Sequence, residues 1–309
     1  MRPSWNRPIF LAIVTILLLA CSGRSQSEPG GGRAASTLTI KGSDTMVILA
    51  QRWAERFMQK HPGISVQVSG GGSGTGIAAL LNGTTDLANA SRPMKERERQ
   101  QLRERRGADA QEHRVALDAL AVYVQVDSPI RALTVAQLRD IFRGRITRWQ
   151  EVGGPDAPIV LYSRENNSGT YAYFKEHVLD DMDFAATAQT LPGTAAVINA
   201  VSRDPSGIGY GGIAYAEGVR ALRIASEDGE PVEPSMVNAT SGRYPLSRYL
   251  HIYSAGAPEG AAREFLDFVL SDEGQSVVEG VGYYPLPREA RPRAAVPSPL
   301  APAAEGTGG

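Results

Sequence analysis

Short apolar runs alternate with amphipathic ones from about residue 37 to residue 287, and this alternation confines the chain to an α/β fold with largely parallel sheets. Leu38-Thr39-Ile40 reads as a first strand. Met46, Ala50, Trp53 and Phe57 then recur at spacings of four, three and four, which puts them on one buried helical stripe until His61-Pro62-Gly63 ends it. Ile64, Val66 and Val68 alternate with polar residues as a second strand, Ile77, Leu80 and Leu81 mark a second helix, and Leu87-Ala88 belongs to a third strand. Residues 119–126 are strand-like, 134–142 form a short helix, and 159–161 form a strand leading to a helix with Tyr171, Phe174 and Val178 on one face. A helix over 194–201, a Gly-rich strand region over 207–215, a strand with Leu250, Ile252 and Tyr253, and a helix burying Phe265, Phe268 and Val269 complete the pattern.

Three of the strand-to-helix turns share a composition: KGSDTM at 41–46, SGGGSGTGI at 69–77 and SRENNSGTY at 163–171. A helix start leaves backbone N–H groups without partners and carries the positive end of the helix dipole, so it attracts anions. In open α/β sheets, ligands sit at the carboxyl ends of strands, where these turns lie. The three turns, the last with Arg164, are expected to converge on one small oxyanion. Net charge is −1, which argues against nucleic-acid binding through a broad basic field. Local geometry must hold the anion.

The ends of the chain are a different material. Arg2 and Arg7 precede an apolar run over 9–19 that ends in Leu18-Leu19-Ala20-Cys21, too short to span a bilayer comfortably and built like an export signal. Cys21 is the sole cysteine, which excludes an internal disulfide, and its place after a small residue resembles the bacterial lipoprotein signal, with Cys21 lipidated. Residues 1–20 are therefore expected to be a signal peptide, 21–36 a flexible tether and 288–309 a disordered Pro/Ala/Gly-rich tail.

Together, GSDTM, SGGGSGTGI, DLANASRPMK at 86–95, LRDIFRGRITRWQEVGG at 138–154, YSRENNSGTYAYF at 162–174 and GIGYGGIAYA at 207–216 resemble the periplasmic phosphate-binding proteins of bacterial ABC import systems, in their shorter form. The resemblance implies a type II periplasmic-binding-protein fold: two α/β lobes, each a mainly parallel sheet flanked by helices, joined by two crossing segments. Lobe 1 would be 37–126 plus 246–287 and lobe 2 127–245, with crossings near 124–127 and 244–246. It also implies a phosphate importer's binding lipoprotein, extracytoplasmic and anchored through Cys21, that hands inorganic phosphate to permease and ATPase subunits. A sulfate or other tetrahedral-oxyanion binder, or a phosphate sensor without transport, remains the alternative.

The same resemblance assigns ligand contacts to Ser43, Thr45 and the following Met46 N–H, to Ser73, to Arg92, and to Arg164, Ser168, Gly169 and Thr170. Ser43 and Asp44 are equally good helix caps. A guanidinium matches two oxygens of a tetrahedral anion, and Gly70–Gly72 allow close backbone approach. Arg92 stands where longer members carry a carboxylate, and Asn166 replaces an acidic residue two positions after the site arginine. Arg92 cannot accept a hydrogen bond, so Asp44 is the candidate acceptor for the phosphate proton; the other reading of Arg92 is a salt bridge with Glu96. His61, His113, His177 and His251 show no metal-ligand spacing, and neither Ser73 nor Ser168 lies in a nucleophile elbow. No metal, cofactor or catalytic residue is expected. The run KERERQQLRERR over 95–106 reads as a solvated helix face.

Overall fold

The computed structural model describes residues 36–226 and 229–291. The leader, Cys21 and the tail beyond residue 291 lie outside the described residues. In chain order the elements are β1 (Ser36–Gly42), α1 (Val47–Lys60), β2 (Ile64–Ser69), α2 (Ser73–Leu81), β3 (Leu87–Ala90), α3 (Glu96–Arg106) and β4 (Ala110–Gln125). Then follow β5 (Ala132–Thr134), α4 (Val135–Phe142), β6 (Val160–Arg164), α5 (Gly169–His177), β7 (Gln189–Leu191), α6 (Gly193–Arg203) and β8 (Gly207–Gly212). The chain ends with β9 (Val219–Ala221), β10 (Arg223–Ala225), α7 (Met236–Thr240), β11 (Ser247–Ala255), α8 (Gly260–Leu270) and α9 (Asp272–Val281).

Local chemistry explains the boundaries. A short 3-10 turn over Asp44–Met46 opens α1, whose apolar stripe buries Leu49, Ala50, Trp53, Ala54 and Phe57. Trp53 spends its one polar atom on a donor bond to the Gly274 carbonyl at 2.7 Å, which ties α1 to α9. Thr134 caps α4 by accepting from the Gln137 N–H, and the Gln137 side chain answers by accepting from the Thr134 N–H. The charged run does form α3, with Leu102 as its sole buried residue. A further 3-10 turn, Arg288–Ala290, continues past the expected end of the fold because Arg288 and Arg291 both reach Asp272.

One sheet path runs β2-β1-β3-β11-β4-β8-β6-β7, with β9 also paired to β4. The pairs β1–β2, β1–β3, β6–β8 and β6–β7 are parallel, as βα alternation demands. In the middle, β11 runs antiparallel to both β3 and β4, and β4 antiparallel to β8. The reason is β4 itself. It is 16 residues long, pairs with β11 through its first part and with β8 through Leu120–Val124, and so belongs to both halves of the sheet. Leu120 N–H donates to the Leu246 carbonyl at 2.9 Å, which holds the approach to β11 beside the middle of β4.

Two large cores flank that middle. One gathers Trp53, Phe57, Phe265 and Leu266 from α1 and α8, and the other gathers Phe142, Phe174, Leu179 and Tyr210 around α4, α5 and β8. Truncating a fully buried aromatic such as Trp53 or Phe142 to Ala should cost about 3–5 kcal/mol.

Candidate functional site

The three Ser/Thr/Gly turns meet. Thr45 Oγ1, at the start of α1, lies 2.8 Å from Thr170 Oγ1 in the first turn of α5. Ser73, the first residue of α2, has its Oγ 3.4 Å from Ser91 Oγ, which is itself 3.5 Å from Thr170 Oγ1. These four hydroxyl residues are all essentially buried. The turns also touch through backbone. Gly74 N–H donates to the Asn167 carbonyl at 2.9 Å, and Asn167 Nδ2 donates to the Gly71 carbonyl at 3.1 Å. Gly72 is required at this crossing: its φ is +88°, and a Cβ there would stand 2.7 Å from the Asn167 carbonyl oxygen.

Arg164 ends β6 and is only 1% exposed. Its Nη1 donates to Thr194 Oγ1 at 2.9 Å and its Nη2 to Asp44 Oδ2 at 2.7 Å, while its Nε–H is buried with no partner among the described residues. Burial presses the guanidinium's pKa downward and the Asp44 carboxylate opposes that shift, so the group stays charged. The other Asp44 oxygen accepts from the Gly71 N–H at 2.7 Å. Asp44 thus joins the first turn to both of the others.

Ser168 caps α5 by accepting from the Tyr171 N–H at 3.3 Å. Gly169 is packed so closely that a Cβ would fall 2.2 Å from Ser73 Oγ and 2.7 Å from Ser91 Oγ. Ser43 is buried beside the site, its N–H bonded to the Asn89 carbonyl, and its side chain makes no capping bond. The Met46 N–H is used locally, donating to the Ser43 carbonyl at 3.0 Å. Arg92 points elsewhere. Its guanidinium forks onto Glu98 at 2.7 and 2.9 Å and donates to the Pro93 carbonyl, so the partner is Glu98 rather than Glu96. Arg92 lines a cavity of about 530 Å³ together with Tyr173, His177 and Tyr249.

Such an arrangement offers a dense set of donors, a buried cation in Arg164 and a carboxylate acceptor in Asp44. Among the described residues, no group of three or more His, Cys, Asp or Glu could hold a metal ion. No described helix is long and apolar enough to cross a membrane.

Residues 27–273 match the family model of the PBP superfamily domain. The chain is 37% identical over 278 residues to the phosphate-binding protein PstS of Pseudomonas aeruginosa, which covers 84% of this chain and 86% of that protein. The chain belongs to the PstS family. Another member, the phosphate-binding protein PstS of Bacillus subtilis, is 33% identical over 90% of this chain and 92% of its own length. Among solved structures, a phosphate ABC transporter substrate-binding protein from Clostridium perfringens with bound phosphate superposes with a TM-score of 0.74 at 30% identity. It covers 82% of this chain and 100% of that one. The fold is therefore that of the type II periplasmic binding proteins.

One feature of this PstS-family site was absent from the sequence expectations. Arg248 on β11 and Asp118 on β4 are register partners, 5% and 0% exposed, joined by Arg248 Nε to Asp118 Oδ2 at 2.9 Å. Arg248 Nη2 reaches Thr170 Oγ1 at 3.1 Å and Nη1 reaches the Ser91 carbonyl at 3.1 Å. A signal did exist. Asp118 interrupts the apolar run Val115–Val124, and a buried carboxylate must find a cation.

Proposed function

We propose that the chain is the substrate-binding component of a phosphate ABC importer, and that inorganic phosphate is held where the three turns meet. The observation that carries this reading is the unpartnered Nε–H of a fully buried Arg164, next to a cluster of buried hydroxyls contributed by separate turns. A buried guanidinium N–H calls for an acceptor, and a tetrahedral oxyanion supplies several. The names of its relatives support phosphate as that anion.

In this reading Ser73, Ser168 and Thr170 donate hydroxyl protons to the anion, Thr45 donates its own to Thr170 and so leaves that residue's proton free, Gly169 admits the ligand closely, and Arg164 supplies charge. Ser43 and Met46 shape the first turn. Asp44 accepts the proton of monohydrogen phosphate, for a carboxylate has about four acceptor positions and two are used by Arg164 and Gly71. Six to ten hydrogen bonds of about 1.5–3 kcal/mol each, less ordering and desolvation, are compatible with about −8 kcal/mol, or micromolar binding. The role is capture and release rather than catalysis.

The chain's two halves, 37–126 plus 246–287 and 127–245, act as lobes that close on the ligand, with bonds such as Asp44–Arg164 and Thr45–Thr170 holding the closed form. Cys21 carries the lipid anchor on the extracytoplasmic side, and permease and ATPase subunits receive the phosphate. Calorimetric titration with phosphate and with sulfate between pH 6 and 8 tests the reading. Phosphate should bind at micromolar concentration or below and sulfate far more weakly, and Asp44→Asn should narrow the difference. Tighter binding of sulfate would overturn it.

A further inference from the structure

A hydroxyl has one proton to give and two lone pairs with which to accept. Which of these it offers to a ligand depends on what the protein already occupies. Ser73 Oγ accepts from the Ser91 N–H at 3.0 Å, and Ser168 Oγ accepts from the Tyr171 N–H at 3.3 Å. In both cases a fixed backbone donor takes a lone pair and leaves the proton to point away. No backbone N–H among the described residues donates to the Thr170 hydroxyl. Its Oγ1 instead receives Arg248 Nη2–H at 3.1 Å.

Arg248 is costly to place there. It and Asp118 are buried, and an apolar pair of similar volume at facing strand positions would serve stability as well or better. Its three bonding directions are used to different ends. Nε and Nη2 rest on Asp118 Oδ2, both at 2.9 Å, and Nη1 grips the Ser91 carbonyl at 3.1 Å. Asp118 is itself anchored, since its Oδ1 accepts from the Ile213 N–H at 3.0 Å. The planar fork therefore has a single orientation, spanning the end of β3, the middle of β4 and the first turn of α5.

We propose that Arg248, braced by Asp118, is a positioning residue that fixes Thr170 as a hydrogen-bond donor to the bound oxyanion. This inference rests on the phosphate-binding reading above. It explains why a neutral ion pair is kept at the base of an anion site. The pair adds no net charge to attract the ligand, but it polarises one hydroxyl and sets its direction.

A double-mutant cycle in the full chain, read by calorimetry with inorganic phosphate at pH 7.5, separates this role from bulk packing. The substitution pair Asp118→Asn with Arg248→Met removes both charges together and leaves net charge unchanged. Alone it should weaken phosphate binding at least tenfold. Combined with Thr170→Val, which removes the hydroxyl on which Arg248 acts, it should add less than a twofold further loss beyond Thr170→Val itself. Losses that multiply would overturn the proposal, because Arg248 would then act independently of Thr170. Should the charge-free pair fail to fold, Thr170→Val alone decides: a loss under threefold means the hydroxyl has no work for Arg248 to direct. A wild-type chain that binds no phosphate overturns the functional reading and this inference together. A wild-type chain that binds phosphate with an additive cycle overturns this inference alone.

Discussion

Gly169→Ala offers the most direct test of the closed site, because its effect can be worked from distances. The φ of Gly169 lies outside the left-handed region, so an alanine fits the local backbone. The obstruction is across the cleft. The new methyl would sit 2.2 Å from Ser73 Oγ, 2.7 Å from Ser91 Oγ and 2.9 Å from Ser73 Cβ. Rotating one hydroxyl cannot relieve it, since Ser73 Cβ is fixed to α2. The gap between α5 and α2 must widen by about 1 Å to reach ordinary van der Waals contact. A hydrogen bond such as Thr45–Thr170, now 2.8 Å, does not survive that displacement. If two donor contacts to phosphate are lost at about 1.5–3 kcal/mol each, affinity falls by about 10²–10⁴-fold. Calorimetry with phosphate reads the loss. The ligand-free melting temperature should barely change, because the clash is relieved by separating the turns without opening either core. Affinity within threefold of wild type would refute the reasoning.

Arg164→Ala should weaken phosphate binding at least tenfold, since it removes the buried cation and strands Asp44; unchanged binding in an equilibrium titration would sink its assigned role. Arg92→Ala, by contrast, should change phosphate affinity less than threefold, because the Arg92 guanidinium is held by Glu98 and the Pro93 carbonyl; a tenfold loss in the same titration would put Arg92 back in the site. His251 predicts an acid limb: burial depresses its pKa to about 4, with Glu112 pulling the other way, whereas the unfolded imidazole protonates near 6.5. The stability it supports is complete above pH 6.5 and is lost as pH falls toward 4, by about 3 kcal/mol over that interval. Urea denaturation at pH 7 and pH 4.5 should show a smaller acid loss for His251→Phe than for wild type; equal losses would exclude His251 as the cause.

The three turns were legible in the sequence because their chemistry is local: a strand end, a Ser/Gly-rich corner and a helix start occupy a few consecutive residues each. Arg92 shows what local order cannot carry. Its position after Ala90-Ser91 marked it for the site, but a side chain's direction depends on its competitors, and Glu98 lies six residues on with two oxygens aimed at it. The first part of β4 was hidden for a related reason. Gln111, Glu112, His113 and Arg114 look like a loop, yet they form strand because β11 pairs with them and Arg99 takes Glu112 at 2.6 Å. Arg248 and Asp118 were the hardest to see, being 130 residues apart and joined only by strand register. A charge set inside an apolar strand nonetheless carries information, because burial without a partner costs several kcal/mol and a stable fold cannot leave it so. Asp118 in its apolar run therefore implied a cation on a neighbouring strand, and the strand that supplied it also reached Thr170. The buried pair and the hydroxyl cluster are joined by geometry for that reason: the residue that neutralises Asp118, the one fully buried carboxylate among the described residues, is the same one that touches the Thr170 hydroxyl.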